Sequence, residues 1–271
     1  MTATRRPVSD APADAYPYVD LSVERDTPVE VSVIMPCLNE AESVSKTVIE
    51  ALAALAAMGV PGEVVVVDNG SEDDSIQRAL DAGARVVSEP VRGYGSACRR
   101  GLAEARGQYL VLGDADGTYD FSALPRFIEP LHSEADVVIG SRLNDMLEPG
   151  AMPWLHLHVG NPILTRVFNR LFSVGVTDTQ CGLRSITQDA YRRMRLGSPG
   201  MEFASEFLIE AARHRLDIVE VPIAYRRRFG GVPKLRTFRD GARHLRLMLA
   251  EAGFSPSRQA RDTEPGVVFT R

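Results

Sequence analysis

Three short runs of apolar residues, each followed directly by polar side chains, constrain the fold of this chain most strongly. The runs cover residues 31–35, 64–67 and 109–112, and a segment long enough for a helix follows each of them. Strands that are apolar on both faces and alternate with helices are typical of a parallel sheet covered on both sides. The sequence therefore predicts an α/β fold. Because parallel sheets place ligands at the carboxyl ends of their strands, we expect the three polar loops at one edge.

Asp114 and Asp116 follow the third apolar run and are separated by a single residue. On a pleated strand, residues i and i+2 share a face, so the two carboxylates can converge on one ion. A divalent cation with an oxygen-rich shell, Mg²⁺ or Mn²⁺, would also accept phosphate oxygens there. An acidic turn that only ends the strand is the alternative, since Asp and Gly are common turn residues.

Hydrophobic periodicity predicts the remaining elements. Further strands are expected over 84–87, 136–139 and 218–224, and helices over 44–58, 73–82, 121–133, 162–172, 203–214 and from about 235, with 177–184 as a polar stretch. Asn39, with Glu42 three residues later, resembles a capping box and predicts a helix start at that point. One domain is expected at 29–254, between a disordered tail at 1–28 and a polar tail at 255–271.

Composition excludes several classes of protein. The 271 residues include 31 basic and 36 acidic side chains, and the net charge of −5 argues against a partner that is nucleic acid. Three cysteines without metal-like spacing are expected to be reduced thiols of a cytosolic protein. No signal peptide is recognised, and no run of about 20 apolar residues is present. We therefore expect a cytoplasmic protein that is not secreted and has no transmembrane segment.

Ordered motifs extend over most of the chain. They are Pro36-x-x-Asn39-Glu40, Asp68-Asn69-Gly70-Ser71, Asp114-x-Asp116, Arg92-Gly93-Tyr94-Gly95, Gly140-Ser141-Arg142, Asp178-Thr179-Gln180-Cys181-Gly182-Leu183-Arg184, Met201-Glu202-Phe203-Ala204-Ser205-Glu206 and Lys234-Leu235-Arg236-Thr237-Phe238-Arg239-Asp240-Gly241. In this order they resemble the family 2 glycosyltransferases of the GT-A fold. Within that family they are most similar to the bacterial polyprenyl-phosphate (dolichol-phosphate-like) hexosyltransferases. The likeness extends from about residue 31 to about residue 249.

The resemblance implies a Rossmann-like, mostly parallel sheet flanked by helices, with a C-terminal helical region on the acceptor side. Residues 29–140 would bind a nucleotide sugar linked to UDP or GDP, and residues 141–254 the acceptor. The implied donor-binding residues are Pro36, Asn39, Glu40, Asp68, Gly93, Asp114, Arg228 and Lys234. The implied acceptor-binding residues are Arg142, Asp178, Gln180, Arg184, Glu202 and Glu206. Asp114, Asp116 and Arg142 would be catalytic, and the two aspartates would hold the metal.

Two of these residues also have a purely structural interpretation. Asp68 could cap the helix that follows it, because Asp favours such positions. Gly93 could serve a tight turn into the next helix. The basic segment around Arg228 could likewise be a solvated face, although the glycines at 230 and 231 would let a loop fold over phosphates.

The acceptor determines whether the reaction needs a base. A phosphate monoester is already an anion at neutral pH and needs only positioning, whereas a hydroxyl must lose a proton. In the family resembled, Arg142 would hold a lipid phosphate. A soluble hydroxyl acceptor would make Glu202, Glu206 or Asp178 candidate bases. Structural interpretations remain open, with Glu206 as a surface charge of an amphipathic helix and Asp178 as a partner of Arg184.

Three departures from the family bear on that choice. Thr118 stands where many relatives have a metal-side Gln, Leu157 replaces an Arg of the acceptor segment, and Pro233 replaces a Ser before the loop lysine. Three functions are therefore weighed: transfer to polyprenyl phosphate, the same donor chemistry with a soluble hydroxyl acceptor, and a non-catalytic nucleotide-sugar-binding module.

A basic helix over 236–252 raises the question of peripheral membrane contact. Phe238, Ala242, Leu245 and Leu249 share one face of this helix, and arginines flank them. Such a face can bind the surface of an anionic membrane, or it can pack against the catalytic domain.

Overall fold

The computed structural model of this chain describes residues 28–230 and 237–253. The tail expected at 1–28 lies outside the described residues except for its last position, and the tail at 255–271 lies outside them entirely. Lys234, expected to bind the donor, also lies outside them. No helix within the described ranges is both long enough and apolar enough to cross a bilayer.

Seven strands of the described chain form one sheet in the order β3-β2-β1-β4-β6-β5-β7. The strands are β1 (Val31–Cys37), β2 (Gly62–Asp68), β3 (Arg85–Ser88), β4 (Tyr109–Leu112), β5 (Val137–Ser141), β6 (Arg184–Thr187) and β7 (Ile218–Pro222). The strand β6 runs antiparallel to both of its neighbours, and the other pairs are parallel. The mostly parallel, helix-flanked sheet that the sequence predicts is confirmed.

Helices cover both faces of this sheet. They are α1 (Val44–Met58), α2 (Ser75–Asp81), α3 (Tyr94–Glu104), α4 (Leu124–Ser133), α5 (Asn161–Phe172), α6 (Gln188–Arg193), α7 (Phe203–Arg213) and α8 (Thr237–Ala252), with a 3₁₀ turn at Phe121–Ala123 and a π turn at His156–Gly160. Alternate residues of β1 separate into two buried clusters. Val33 and Met35 pack with α1 and α4, whereas Ile34 packs with α3, α5 and α7.

The prediction of a polar stretch at 177–184 is wrong at its end, because Arg184 begins β6 in the interior of the sheet. Polar side chains are tolerated there because the neighbouring backbone satisfies them. The guanidinium of Arg184 donates to the carbonyl oxygens of Cys181 and Ala204, and the hydroxyl of Ser185 donates to Phe127 O at 2.9 Å. Hydrophobic periodicity does not detect such a strand, because its buried positions include polar side chains whose hydrogen bonds are satisfied by backbone elsewhere in the chain.

The capping role predicted for Asn39 is also wrong. The helix α1 begins at Val44, and Asn39 adopts a left-handed φ of 51° in the loop before it. Its side-chain oxygen accepts from Glu72 N at 2.7 Å, so it joins the loop after β1 to the loop after β2. Asn tolerates this backbone conformation better than most residues do.

Six of the seven strands point the same way, and their carboxyl ends therefore meet at one edge. The residues that follow β1, β2, β3, β4, β5 and β7 all lie there, and so does the segment that leads into the antiparallel β6. This edge carries every described residue that the sequence assigns to the site, apart from the helix-borne carboxylates of α7.

Candidate active site

Asp116 is buried, and both of its carboxylate oxygens have partners. Oδ1 accepts from the backbone N–H of Thr118 at 3.0 Å and from its hydroxyl at 2.6 Å. Oδ2 accepts from the guanidinium of Arg228 at 2.7 Å. Thr118 therefore orients Asp116, a role that its position two residues later makes possible.

Asp114 has a different environment from its neighbour. Its Oδ1 is buried and has no hydrogen-bond partner in the part of the chain that the structure describes. Burial, and then the charge of Asp116, raise the pKa of Asp114 to about 7. A hydrogen bond with the Tyr94 hydroxyl and the charges of Arg228 and Arg142 oppose this increase in pKa. None of these groups supplies a hydrogen bond to Oδ1 of Asp114, so this oxygen stays without a partner among the described residues.

A divalent cation fits this pair of carboxylates. A hard cation would satisfy the orphaned oxygen of Asp114 and relieve the repulsion between the two carboxylates. No cluster of three or more His, Cys, Asp or Glu side chains suited to a metal occurs within residues 28–230 and 237–253. The protein would therefore supply two ligands, and the remaining ligands would be ligand oxygens or water, as Mg²⁺ sites commonly have.

Arg228 bridges two loops of the site. Besides Asp116, its guanidinium contacts the carboxylate of Glu40, and its Nε donates to Gly230 O at 2.8 Å. Glu40 is buried, and its backbone N–H donates to the hydroxyl of Ser75 at 2.7 Å. The structure thereby brings together Glu40, Asp116 and Arg228, three residues that the sequence assigns to the site. Glu40 and Arg228 are 188 positions apart in the chain.

Asp68 ends β2 and is occupied by its own loop. Its carboxylate accepts from the backbone N–H groups of Gly70 and Ser71, both at 3.0 Å. The alternative role as a helix cap is wrong, because α2 begins at Ser75 and Asp68 does not contact its first turn. Nucleotide binding by Asp68 remains a prediction, as it does for Pro36, which lies on the neighbouring strand β1 in register with Val67, the residue before Asp68.

Gly93 precedes α3 and is enclosed by backbone. It has φ of 142°, and a Cβ there would lie 2.1 Å from Pro199 O. Its N–H donates to the side chain of Asn69 at 2.7 Å. These contacts support the interpretation of a tight, closely packed turn, and donor binding by Gly93 remains a prediction.

Arg142 and Asp178 form a buried bidentate ion pair. Nε and Nη2 of Arg142 donate to the two oxygens of Asp178 at 2.7 and 2.9 Å. Burial alone would raise the pKa of Asp178, but the charge and hydrogen bonds of Arg142 hold it below its ordinary value. The suggested pairing of Asp178 with Arg184 is therefore wrong, since Arg184 donates to backbone carbonyls instead.

Glu220 fixes the backbone that carries Asp178. It lies on β7, and its carboxylate accepts from the N–H groups of Thr177 and Asp178, each at 2.9 Å. The sequence interpretation missed Glu220. The available signal was a single carboxylate inside the otherwise apolar strand Ile218–Pro222.

Glu202, at the N-cap of α7, and Glu206, in its first turn, differ in their hydrogen bonding. Glu206 accepts from the backbone N–H groups of Gly197 and Ser198 at 2.9–3.1 Å, so it anchors a loop, and the interpretation as a surface charge is wrong. Glu202 is buried, and its Oε2 has no hydrogen bond among the described residues, with Arg243 Nε at 3.8 Å. Gln180 contacts Ser205 on the same helix at 3.4 Å.

The mostly parallel sheet and its flanking helices define an α/β protein of the GT-A fold. A crystal structure of glucosyl-3-phosphoglycerate synthase from Mycobacterium tuberculosis, in complex with Mn²⁺, UDP-glucose and glycerol 3-phosphate, matches it with a TM-score of 0.66. That match covers 83% of this chain and 80% of the other at 24% identity, which establishes the fold alone.

The chain belongs to glycosyl transferase family 2, whose family pattern matches residues 32–195. It is 43% identical to the low-salt glycan biosynthesis hexosyltransferase Agl6 of Haloferax volcanii over 86% of its own length, but it spans only 56% of that relative. It is 36% identical to the dolichyl-phosphate hexose transferase of the same organism, over 66% of this chain and 76% of the relative. The predicted resemblance and the predicted class of enzyme are confirmed.

Proposed function

We propose that this protein transfers a hexose from a nucleoside-diphosphate sugar to a polyprenyl phosphate, with inversion and with a divalent metal. The observation that carries the proposal is the pair of carboxylates that follows β4, in which Asp116 is held by Arg228 at 2.7 Å and the buried Oδ1 of Asp114 has no hydrogen-bond partner among the described residues. Its relatives support this acceptor, because one of them is a dolichyl-phosphate hexose transferase.

On the donor side, Asp114 and Asp116 would hold Mg²⁺ or Mn²⁺. The ion supplies a Lewis acid that neutralises charge on the departing diphosphate. Arg228, and Lys234 outside the described residues, add positive charge for the phosphates. The loops after β1 and β2 are joined by the hydrogen bond from Glu72 N to the side chain of Asn39, and together they would contact the nucleoside.

On the acceptor side, the contacts favour a phosphate over a hydroxyl. Both oxygens of Asp178 and both oxygens of Glu206 are engaged by cations or backbone N–H groups, so neither is a good base. A phosphate monoester needs no base, and the ion pair with Asp178 fixes Arg142 for positioning an anion. Glu202, whose Oε2 has no hydrogen bond, is the carboxylate that a soluble hydroxyl acceptor would use.

We also propose that α8 contacts a membrane surface. The helix packs on the domain through Asp240, His244 and Met248, which are 6%, 3% and 0% exposed, whereas Leu245 and Leu249 are 39% and 58% exposed. The catalytic domain therefore covers Leu245 and Leu249 only in part. The exposed arginines on the same helix are Arg239, Arg243 and Arg246. A half-exposed apolar face with flanking arginines suits an anionic lipid surface, consistent with a peripheral protein at the cytoplasmic face.

The acceptor proposal is tested with liposomes that contain anionic lipid and polyprenyl phosphate. Sugar transfer is measured from UDP-glucose and GDP-mannose in turn, with Mn²⁺ or with a chelator. We expect metal-dependent formation of a hexosyl lipid, and a decrease of about a hundredfold or more for Asp116→Asn, because charge stabilisation is lost. Turnover of soluble hydroxyl acceptors with none of the lipid would overturn the proposal.

The membrane contact is tested by flotation of the same liposomes. Leu245→Asp with Leu249→Asp places charge on the proposed contact face and should abolish flotation. Ile49→Asp is the matched control, because Ile49 is equally aliphatic and 57% exposed but lies on α1, on the opposite side of the sheet. Equal flotation of both variants would refute the role of α8.

A further inference from the structure

Arg228 places a positive charge directly on one of the two carboxylates that would bind a metal. Its Nη1 lies 2.7 Å from Asp116 Oδ2, and the same guanidinium contacts Glu40. Asp116 Oδ1 is already occupied by Thr118. A divalent cation that approaches Asp116 therefore meets a resident cation at contact distance, and like charges in a partly buried site repel strongly.

The backbone around Arg228 is fixed independently of this ion pair. Arg226 N donates to Thr118 O at 2.8 Å, and Phe229 N donates to Asp116 O at 3.2 Å. The ring of Phe229 covers Gly117, where a Cβ would lie 2.1 Å from it, and the ammonium of Lys46 lies 3.7 Å from the ring centroid. The side chain of Arg228 can consequently leave Asp116 by rotating, without displacement of the segment that carries it.

A separate arginine anchors the base of the same segment. Arg226 Nη1 lies 3.0 Å from Glu50 Oε1, and its Nη2 lies 2.5 Å from Asp120 Oδ2. Arg227, between them, is exposed and donates to Pro149 O at 2.8 Å. Three consecutive arginines thus have three different partners, and of these three only Arg228 contacts the carboxylate pair.

We propose that Arg228 is a counter-cation that makes metal binding depend on the nucleotide. Without a diphosphate, Arg228 stays on Asp116 and a divalent cation binds weakly. A diphosphate offers the guanidinium stronger, bidentate acceptors and draws it away from Asp116, so that metal and nucleotide bind together. The inference rests on the proposed function and adds a rule for the order of assembly at the site.

The test measures Mn²⁺ affinity rather than activity. Free Mn²⁺ is followed by electron paramagnetic resonance during titration of the full chain, first without nucleotide and then with saturating UDP or GDP. Arg228→Gln removes the charge and keeps a hydrogen-bond donor. We expect it to bind Mn²⁺ about tenfold more tightly than the wild type without nucleotide, because the repulsion is gone. With the nucleotide, the wild type should gain more affinity than the variant does.

Two control variants separate charge from general perturbation. Arg228→Lys retains the positive charge, and Arg227→Gln removes a neighbouring charge that does not contact the carboxylates. Both should bind Mn²⁺ within roughly twofold of the wild type without nucleotide. Arg228→Lys keeps the repelling charge beside Asp116, and the charge lost in Arg227→Gln is an exposed one that solvent screens. Thermal unfolding of each variant establishes that it is folded.

The outcomes distinguish this inference from the proposed function. Unchanged, weaker or undetectable Mn²⁺ binding by nucleotide-free Arg228→Gln overturns the inference, whatever the activity. Tighter binding by that variant supports it, even if no sugar acceptor is ever turned over. Loss of all sugar transfer with normal coupling of Mn²⁺ to nucleotide would instead reject the proposed reaction.

Discussion

Three buried charged side chains, Glu220, Asp178 and Arg142, form a chain of contacts in which each one positions the next. Glu220 fixes the backbone of Asp178, Asp178 holds Arg142 with two hydrogen bonds, and Arg142 lies over the ring of Tyr225 at 5.2 Å. Asp178 is fully buried and Arg142 nearly so. An ion pair this deep is retained because removal of one partner leaves the other charge uncompensated.

Asp178→Asn tests that dependence at the level of a single residue. The variant keeps the shape of the side chain but leaves Arg142 charged and buried, so we expect a decrease in the free energy of unfolding of about 3 kcal/mol or more. The double variant Arg142→Leu with Asp178→Leu should recover part of this loss, because no charge remains buried. Urea unfolding measures both. Additive effects of Arg142→Leu and Asp178→Leu, measured singly and together, would contradict the coupling.

Among the elements, the packing of α3 depends on glycines that approach backbone closely. Gly93→Ala would place a Cβ 2.1 Å from Pro199 O at φ of 142°, a contact that only a backbone shift can relieve. We expect a loss of stability of about 2 kcal/mol or more. Gly241→Ala on α8 is the opposite case, since no atom lies within 4 Å of its Cβ position, and it should stabilise the helix by about 0.5–1 kcal/mol. Thermal unfolding that shifts both variants in the same direction would refute this contrast.

Elements with a clear apolar period could be predicted from the sequence, and those whose polar groups are satisfied by distant backbone could not. The sequence predicts the strands β1, β2 and β4 to within two residues of their ends, because each contains a continuous apolar run. The strand β6 was missed because Arg184 and Ser185 find partners on other segments of the chain. Asn39 was misassigned for the same reason, since its partner Glu72 belongs to the next βα loop.

The candidate site follows the same division. The positions of Asp114 and Asp116 at a strand end could be predicted from local spacing alone. Their partners could not, because the contact of Arg228 with Asp116 joins residues 112 positions apart, and the support of Asp178 by Glu220 joins residues 42 apart. Side-chain pairing over such separations depends on the register of the whole sheet, and local patterns in the sequence do not predict that register.

At the scale of the whole molecule, α8 packs against α5 and α7 on one face of the sheet. Its buried His244 forms a hydrogen bond of 2.7 Å with the hydroxyl of Ser205. Burial, together with the charge of Arg184, lowers the pKa of His244 to about 4, although the nearby Glu202 and Asp240 act in the opposite direction. The folded protein therefore keeps this imidazole neutral at a pH where the unfolded chain protonates it.

This difference predicts how acid weakens the molecule. Above the ordinary histidine pKa of 6.5, both states hold His244 neutral, and the residue contributes no pH dependence. As the pH falls from about 6.5 towards 4, only the unfolded chain takes up the proton. The free energy of unfolding therefore decreases by about 1.4 kcal/mol per pH unit, a total loss of about 3 kcal/mol. His244→Asn removes this contribution while keeping a polar group for Ser205. Urea unfolding at pH 7.5 and pH 5 should therefore show a smaller decrease for the variant than for the wild type, and parallel decreases would mean that His244 is protonated in the folded protein.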